Sequence, residues 1–481
     1  MWPINFKILG VLLMLFSITL VPPLLVGLGY QDGNVLTFVK SIVLCLSVGF
    51  VLWFSFRHYK HPLRTHDGFL IVVLFWVVAS LMAALPFYWT ISPNISFTDA
   101  FFESVSGITT TGSTILTNID HLPHSLLYYR QQLQFLGGMS IILLAVAILP
   151  ALGIGGMQLF RTEITGPVKD DKLTPRITHT AKAIWLVYLT ITIVCALCYW
   201  FAGMSWFDAI GHSFSTVSTG GFSTHDASLG FYNTPAVKVV AVLFMFLGAV
   251  NFNLHFLVFK RRNLRVYSQD PEFRFFIRLI LTSAVVIWIA LVILHFQKKS
   301  PHIVLDSLFE VASFITTSGF GLGDFSLPSF IPFLLLFLGV IGGCAGSTSG
   351  GVKVVRALLL QKQGIREIRR LIHPHGQYVV TLGDKPITAR VIEAIWGFFA
   401  IYFVVFTILL LLLLVVENDF YAIYSALIAT ISNTGRGLGS VANNFSALSD
   451  YAKWILSFAM LAGRLEIVTI LVLLSPTFWR R

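Results

Sequence analysis

Four short stretches rich in threonine and serine each end in glycine: Thr109-Thr110-Thr111-Gly112, Ser218-Thr219-Gly220, Thr316-Thr317-Ser318-Gly319 and Ser432-Asn433-Thr434-Gly435. Their glycines lie 108, 99 and 116 residues apart, so one unit recurs four times along the chain. Glycine reaches φ > 0 without steric cost and lets another group approach the main chain closely. Small hydroxyl side chains suit a backbone whose carbonyls face something other than protein. Four such strands around one axis could replace the water shell of a cation with carbonyl oxygens. The chemistry expected is therefore coordination without reaction. Its residues are Thr110, Thr111, Gly112, Ser218, Thr219, Gly220, Thr317, Ser318, Gly319, Asn433, Thr434 and Gly435.

The elements that hold such strands must be apolar. Of 481 residues, 56% are hydrophobic and only 11% charged, with a mean hydropathy of +0.81. Soluble domains are about a quarter charged, and repeated apolar runs beyond eighteen residues mark a polytopic membrane protein. The net charge of +11 does not point to nucleic acid, because of where it lies. All but eight of the 33 Lys and Arg fall at Lys7, in 57–67, 161–182, 260–278 and 353–390, and at Arg480 and Arg481. Alternation of basic and base-poor connections puts the basic ones in the cytoplasm, with both termini. Cys195 and Cys198 have CxxC spacing, but they lie inside an apolar segment and read as packing residues. The first apolar segment lacks a small-residue cleavage site and reads as a retained helix.

Residues 6–29 and 35–56 form an expected helical hairpin outside the repeats, with Pro22-Pro23 kinking the first helix. Each repeat then has a spanning helix, a short apolar segment, the hydroxyl–glycine stretch and a second spanning helix. The helix pairs are expected at 68–90 and 125–150, 179–201 and 234–259, 274–296 and 330–360, and 388–416 and 451–475. The short segments 97–108, 206–217, 304–315 and 420–432 cannot cross a core that takes about twenty residues to span. They can enter half-way and return. Asp99, Asp208, Asp306 and Asp419 stand ahead of the glycines as helix-start signals. Each half-helix then aims its partially negative C-terminal end at the membrane centre, which favours a cation. The fold class is an all-α polytopic membrane protein with four pseudo-repeats around one pore. Its divisions are a hairpin at 1–60 and repeats at 61–165, 166–262, 263–365 and 366–481.

Two further features lie at membrane depth. Five glycines in residues 342–351 should open the helix 330–360 near its middle. The stretch lacks the Gly-Lys-Ser/Thr ending of a phosphate-binding loop. It is expected under the four strands as a gate made by Gly342, Gly343, Gly346, Ser347, Thr348, Gly350 and Gly351. Arg464 lies about 21 Å down the last long helix at 1.5 Å per residue, where a charge is a functional-site hypothesis by default. It is expected to donate to the 342–351 loop and hold the path closed, with Glu466 facing away. Arg436, directly after the fourth glycine, would repel cations unless paired, and Asp324 is a candidate partner. The basic cluster Arg366–Arg370 with His373 and His375 fits anionic lipid headgroups and a docking cytosolic regulator equally well.

Arg130-Gln131, Gly137-Gly138-Met139, Ala145–Pro150, Gly153–Gln158, Gly342–Gly351, Gly463–Glu466 and Pro476–Trp479 occur in that order. In these blocks, over nearly its whole length, the chain resembles the Trk/Ktr/HKT superfamily of cation transporters, and within it the bacterial TrkH/TrkG potassium-uptake subunits. The resemblance implies gated, low-affinity potassium uptake through one pore per subunit and a homodimer in the bacterial inner membrane. It also implies a cytosolic nucleotide-binding regulatory subunit of the TrkA type. K+ is the transported ion, and no organic cofactor is expected on this chain. Retention of all four glycines favours potassium over sodium. An ion-coupled secondary transporter, such as a K+/H+ or K+/Na+ symporter using the same pore, is the alternative function. An enzyme is not expected: the chain has no nucleophile elbow, zinc-helix motif or paired carboxylates at membrane depth.

Overall fold

Backbone groups in lipid must find their hydrogen bonds within the segment, so apolar runs of this length become helices. The computed structural model describes residues 2–59, 65–90, 94–152, 177–232, 234–294, 302–322 and 330–479. Among these residues helices dominate, and the only strands are the antiparallel pair Thr381–Leu382 and Lys385–Pro386. Among the described residues six helices are long and apolar enough to cross a membrane, and two sharply bent pairs raise the number to eight.

The amino-terminal hairpin comprises Trp2–Ile18, Val21–Tyr30 and Val35–Phe56. The first break falls just ahead of Pro22-Pro23, which start the second piece where a missing N–H costs least. The hairpin packs on repeat one: Asp32 accepts from Ser125 N at 2.8 Å, and Gln132 donates to Thr19 O at 2.7 Å.

The half-helices are Phe97–Ile108, Trp206–Val217, Ile303–Ile315 and Phe420–Ile431, within one residue of expectation. Ser96, Ser205 and Asp419 cap three of them, while Asp99, Asp208 and Asp306 sit in first turns. The first spanning helices of the repeats are Thr65–Trp89, Ile177–Phe201, Pro271–Ile293 and Ala389–Val416.

The second helices depart from expectation. That of repeat one, His124–Leu152, is continuous. Repeat two was expected to carry one helix over 234–259. Instead Pro235–Ala249 and Phe252–Arg261 meet at 96°. Phe252 N donates to Gly346 O of another segment, and Asn251 caps the second piece through Asn253 N. In repeat four Asp450–Arg464 and Val468–Leu474 meet at 110°, with Glu466 and Ile467 at positive φ. Repeat three breaks as expected, between Phe330–Ile341 and Val354–Ile372. The helix Val354–Ile372 runs across position 365. The block 153–158, most of the basic segment 161–182, and Asp324 lie outside the described residues.

Each second helix brings a glycine against the end of its half-helix. A Cβ at Gly137 would lie 2.0 Å from Ile108 O, at Gly248 2.6 Å from Val217 O, and at Gly463 2.0 Å from Ile431 O. Gly339 faces Phe314 O in the same way at 3.6 Å. The three breaks follow these glycines within three residues.

Candidate functional site

After each half-helix the chain makes the same turn. Thr110, Thr219, Thr317 and Asn433 have φ of 55°, 54°, 55° and 52°, and Gly112, Gly221, Gly319 and Gly435 have φ between 72° and 85°. A β-branched residue at positive φ is a strained outlier, of the kind that collects at functional sites. Three threonines hold it at equivalent places. This fixes the register, and the second stretch reads one residue later than its spelling suggests. Gly221, not Gly220, corresponds to Gly112, while Gly220 stands with Thr111, Ser318 and Thr434. Ser218 is a helix C-cap like Thr316 and Ser432. The spacing of Asp208 carried this signal: Asp99 and Asp306 each precede their glycine by thirteen residues, and so does Asp208 when counted to Gly221.

The four loops close on one another. A Cβ at Gly112 would sit 2.0 Å from Gly220 O, one at Gly221 1.8 Å from Ser318 O, one at Gly319 1.9 Å from Thr434 O, and one at Gly435 2.1 Å from Thr111 O. Repeat one touches two, two touches three, three touches four, and four returns to one. Asn433 Nδ2 donates to Thr111 Oγ1 at 2.9 Å, and Ser113 Oγ to Gly435 O at 3.0 Å, across the seam. An outer cavity of about 380 Å³ opens onto all four ring glycines, Gly112, Gly221, Gly319 and Gly435.

Charged and amide side chains support this ring, and Gln134, Glu103, Glu310, Lys238 and Lys453 among them were not marked by the motifs. Gln134 donates to Gly220 O at 2.7 Å and accepts from Phe222 N at 3.0 Å. Glu103, fully buried, accepts from Arg130 Nε at 2.8 Å and from Ile115 N at 3.0 Å. Arg436 pairs with Glu310 at 2.9 Å; Asp324, named from the sequence as its partner, lies outside the described residues. Glu103 and Glu310 each stand nine residues before the ring glycine of their own stretch; His212 and Ala426 hold the corresponding places before Gly221 and Gly435. Lys453 binds Asp99 and Lys238 binds Asp306, both at 2.6 Å, each tying a half-helix to the second helix of the preceding repeat.

The glycine-rich segment lies against the inner side of these loops. Thr317 Oγ1 accepts from Gly350 N at 2.7 Å and meets Ser349 Oγ at 2.9 Å. Thr348 donates to Val217 O at 2.9 Å, and Cβ atoms on Gly350 and Gly342 would strike Ser432 O and Gly350 O at 2.3 Å. Gly342, Gly346 and Gly351 have φ of 74°, 71° and 75°. Gly343 N donates to Ser349 Oγ, and Ser347 closes a local turn on Cys344 O. Arg464, buried, donates to Thr348 O and Gly137 O, both at 2.9 Å. Glu466 faces Arg356 instead, at 2.5 Å.

The four loops thus form a closed ring, and a broken helix is pinned against them. The TrkH family, described as cation transport protein, matches residues 35–481. The chain belongs to that family. It is similar to the Trk system potassium uptake proteins TrkH of Vibrio parahaemolyticus, 51% identical over 478 residues, and of Salmonella typhimurium, 49% over 475, with 98% of both chains covered in each case. The Escherichia coli Trk system potassium uptake protein TrkG is 41% identical over 475 residues, covering 98% of this chain and 97% of that one. The crystal structure of the potassium transporter TrkH from Vibrio parahaemolyticus matches with a TM-score of 0.91 at 48% identity, covering all of both chains. The family is one of transporters, not of enzymes.

Proposed function

We propose that this chain carries K+ into a bacterial cell through a single filter formed by its four hydroxyl–glycine loops. The observation that carries the reading is the cyclic close approach of Gly112, Gly221, Gly319 and Gly435 to the next loop's carbonyl. It leaves room for backbone and nothing larger. Strained threonines turn successive carbonyls away from helical partners, so oxygen atoms take the place of lost hydration. The half-helix C-termini add a partially negative field from four directions. The Glu103–Arg130 and Glu310–Arg436 pairs answer both arginine charges locally, so neither opposes an entering cation.

Under this filter, residues 342–351 with Arg464 act as the gate. The remaining readings complete the picture: low affinity, a homodimer in the inner membrane, both termini in the cytoplasm, and a cytosolic nucleotide-binding TrkA-type subunit. The exposed apolar and basic end of Val354–Ile372, with Ile368, Leu371 and Ile372 open to the outside, fits lipid headgroups or that subunit. The chain divides at the ends of its helix pairs into one hairpin and four repeats.

The test is growth rescue of a bacterium lacking potassium uptake, followed by rubidium and sodium flux into liposomes with Gly221→Ser and Gly112→Ser. Rescue by the parent chain is expected. The variants should lose preference for potassium by tenfold or more, since 1.4 kcal/mol of differential binding is about tenfold. Undiminished discrimination in folded Gly221→Ser protein would reduce the ring to ordinary turn chemistry.

A further inference from the structure

The bend in repeat two leads into a cytoplasmic elbow that returns to the membrane at Pro271–Ile293. Between them, the two ends of this elbow bind three consecutive residues of the glycine-rich segment. At its start, Ala249 O accepts from Cys344 N at 2.9 Å, and Phe252 N donates to Gly346 O at 3.0 Å. At its end, Glu272 Oε1 accepts from Ala345 N at 2.7 Å, and the glutamate is buried. The elbow between them is braced from within. His255 bonds both Leu247 O at 2.9 Å and Tyr267 Oη at 2.7 Å, and Tyr267 stacks on Phe273 with centroids 5.0 Å apart. Its tip, 259–265, is exposed and carries Lys260, Arg261, Arg262 and Arg265.

We infer that Glu272 is a positioning residue for the gate: with the 249–252 bend it clamps Cys344–Gly346, so that movement of the elbow is felt directly at the segment closing the path. A stiff lever fixed at two points to three consecutive residues cannot shift without dragging them. Arg464 holds the same segment at Thr348, from the opposite side and through repeat four. Beyond its contacts with the loops, the segment is therefore held by both Arg464 and Glu272, and the hold at Glu272 is the one joined to the elbow. This inference rests on the reading of residues 342–351 as the gate.

The experiment uses the full chain in liposomes, without any cytosolic subunit, with Cys45, Cys195 and Cys198 replaced by alanine so that Cys344 is the one thiol. Rubidium flux and the rate of Cys344 modification by a charged methanethiosulfonate are read together. Glu272→Ala should raise both at least threefold. Glu272→Gln, which keeps an oxygen for Ala345 N–H, should leave both near the parent values. Glu272→Asp keeps the charge but withdraws the oxygen by one methylene, so it should behave like alanine, and it carries the test if the alanine variant does not fold. Arg464→Ala is the control. If it raises flux while Glu272→Ala and Glu272→Asp leave Cys344 protected, the clamp is wrong and the gate reading stands. A rise in Glu272→Gln equal to that in Glu272→Ala would also overturn the clamp, since charge and not the hydrogen bond would then matter. If Cys344 is exposed in the Glu272 variants but neither they nor Arg464→Ala change flux, the gate reading is what fails.

Discussion

An arginine next to a cation's path is tolerable only if its charge is answered where it stands. Arg130 and Arg436 meet that condition through carboxylates on half-helices, Glu103 and Glu310, both almost wholly buried. Breaking a buried pair by removing one partner costs about 3–5 kcal/mol, because the other charge is left without compensation. Glu103→Gln and Arg130→Met should each lower stability by that order, and the double variant should recover most of the loss. Thermal unfolding in detergent, analysed as a double-mutant cycle, measures this. Additive losses would mean that the two residues act separately. Arg436 was visible in the sequence as an anomaly, yet its partner was not. Glu310 lies 126 residues earlier, inside a segment whose apolar character drew the eye to its length. The repeated nine-residue offset from Gly112 and Gly319 was the available signal.

Between residues and the whole lie the helices, where legibility was uneven. The half-helices could be read because their ends obey local rules: a Ser or Asp cap, an acidic first turn, and a hydroxyl–glycine exit. The bends after Ala249 and Arg464 could not, since nothing local demands them. The first is completed by distant backbone, as Gly346 O accepts from Phe252 N, while the second closes on its own turn, with Ile467 N donating to Ala462 O at 2.7 Å. The glycines just ahead of the bends have a packing duty instead. Gly463→Ala would drive a methyl to 2.0 Å from Ile431 O, and Gly397→Ala meets nothing within 4 Å. Backbone cannot yield as a side chain can, so Gly463→Ala should cost at least the 1–3 kcal/mol typical of overpacking. Gly397→Ala should be neutral or gain up to about 1 kcal/mol of helix propensity. Comparing melting temperatures and monodispersity of the two proteins decides the matter, and equal behaviour would refute the packing role.

At the scale of the molecule the backbone repeats four times but the charges repeat twice. Buried glutamates and lysine clamps mark repeats one and three, while repeat two is tied to repeat one by His225, in the outer loop. His225 Nδ1 lies 2.5 Å from Asp120, its Nε2 3.7 Å from Asp208 and 3.2 Å from Tyr232 Oη. Burial works against the charged ring, but hydrogen bonds to Asp208 and Asp120, with their charges, outweigh it and raise the pKa above 6.5. For Asp120, burial is likewise outweighed, by His225 and by Asp226 N–H, and its pKa is lowered. The histidine's share of the tie is therefore full below the free-histidine value and lost as pH rises through the raised one. The aspartate's share is present above its ordinary range and lost as pH falls through the lowered value. Hydrogen exchange of the 118–121 and 225–232 amides should accelerate as external pH passes His225's titration, and Asp120→Asn should abolish that pH dependence. The ring itself has a consequence in time. Its seam joins the last of the four stretches to be synthesised, at 433–435, to the first, made more than three hundred residues earlier, at 111–113. A ribosome thus delivers the keystone loop after the other three, and on the proposed reading of the ring as the filter, discrimination between ions begins only when that loop has entered the bilayer.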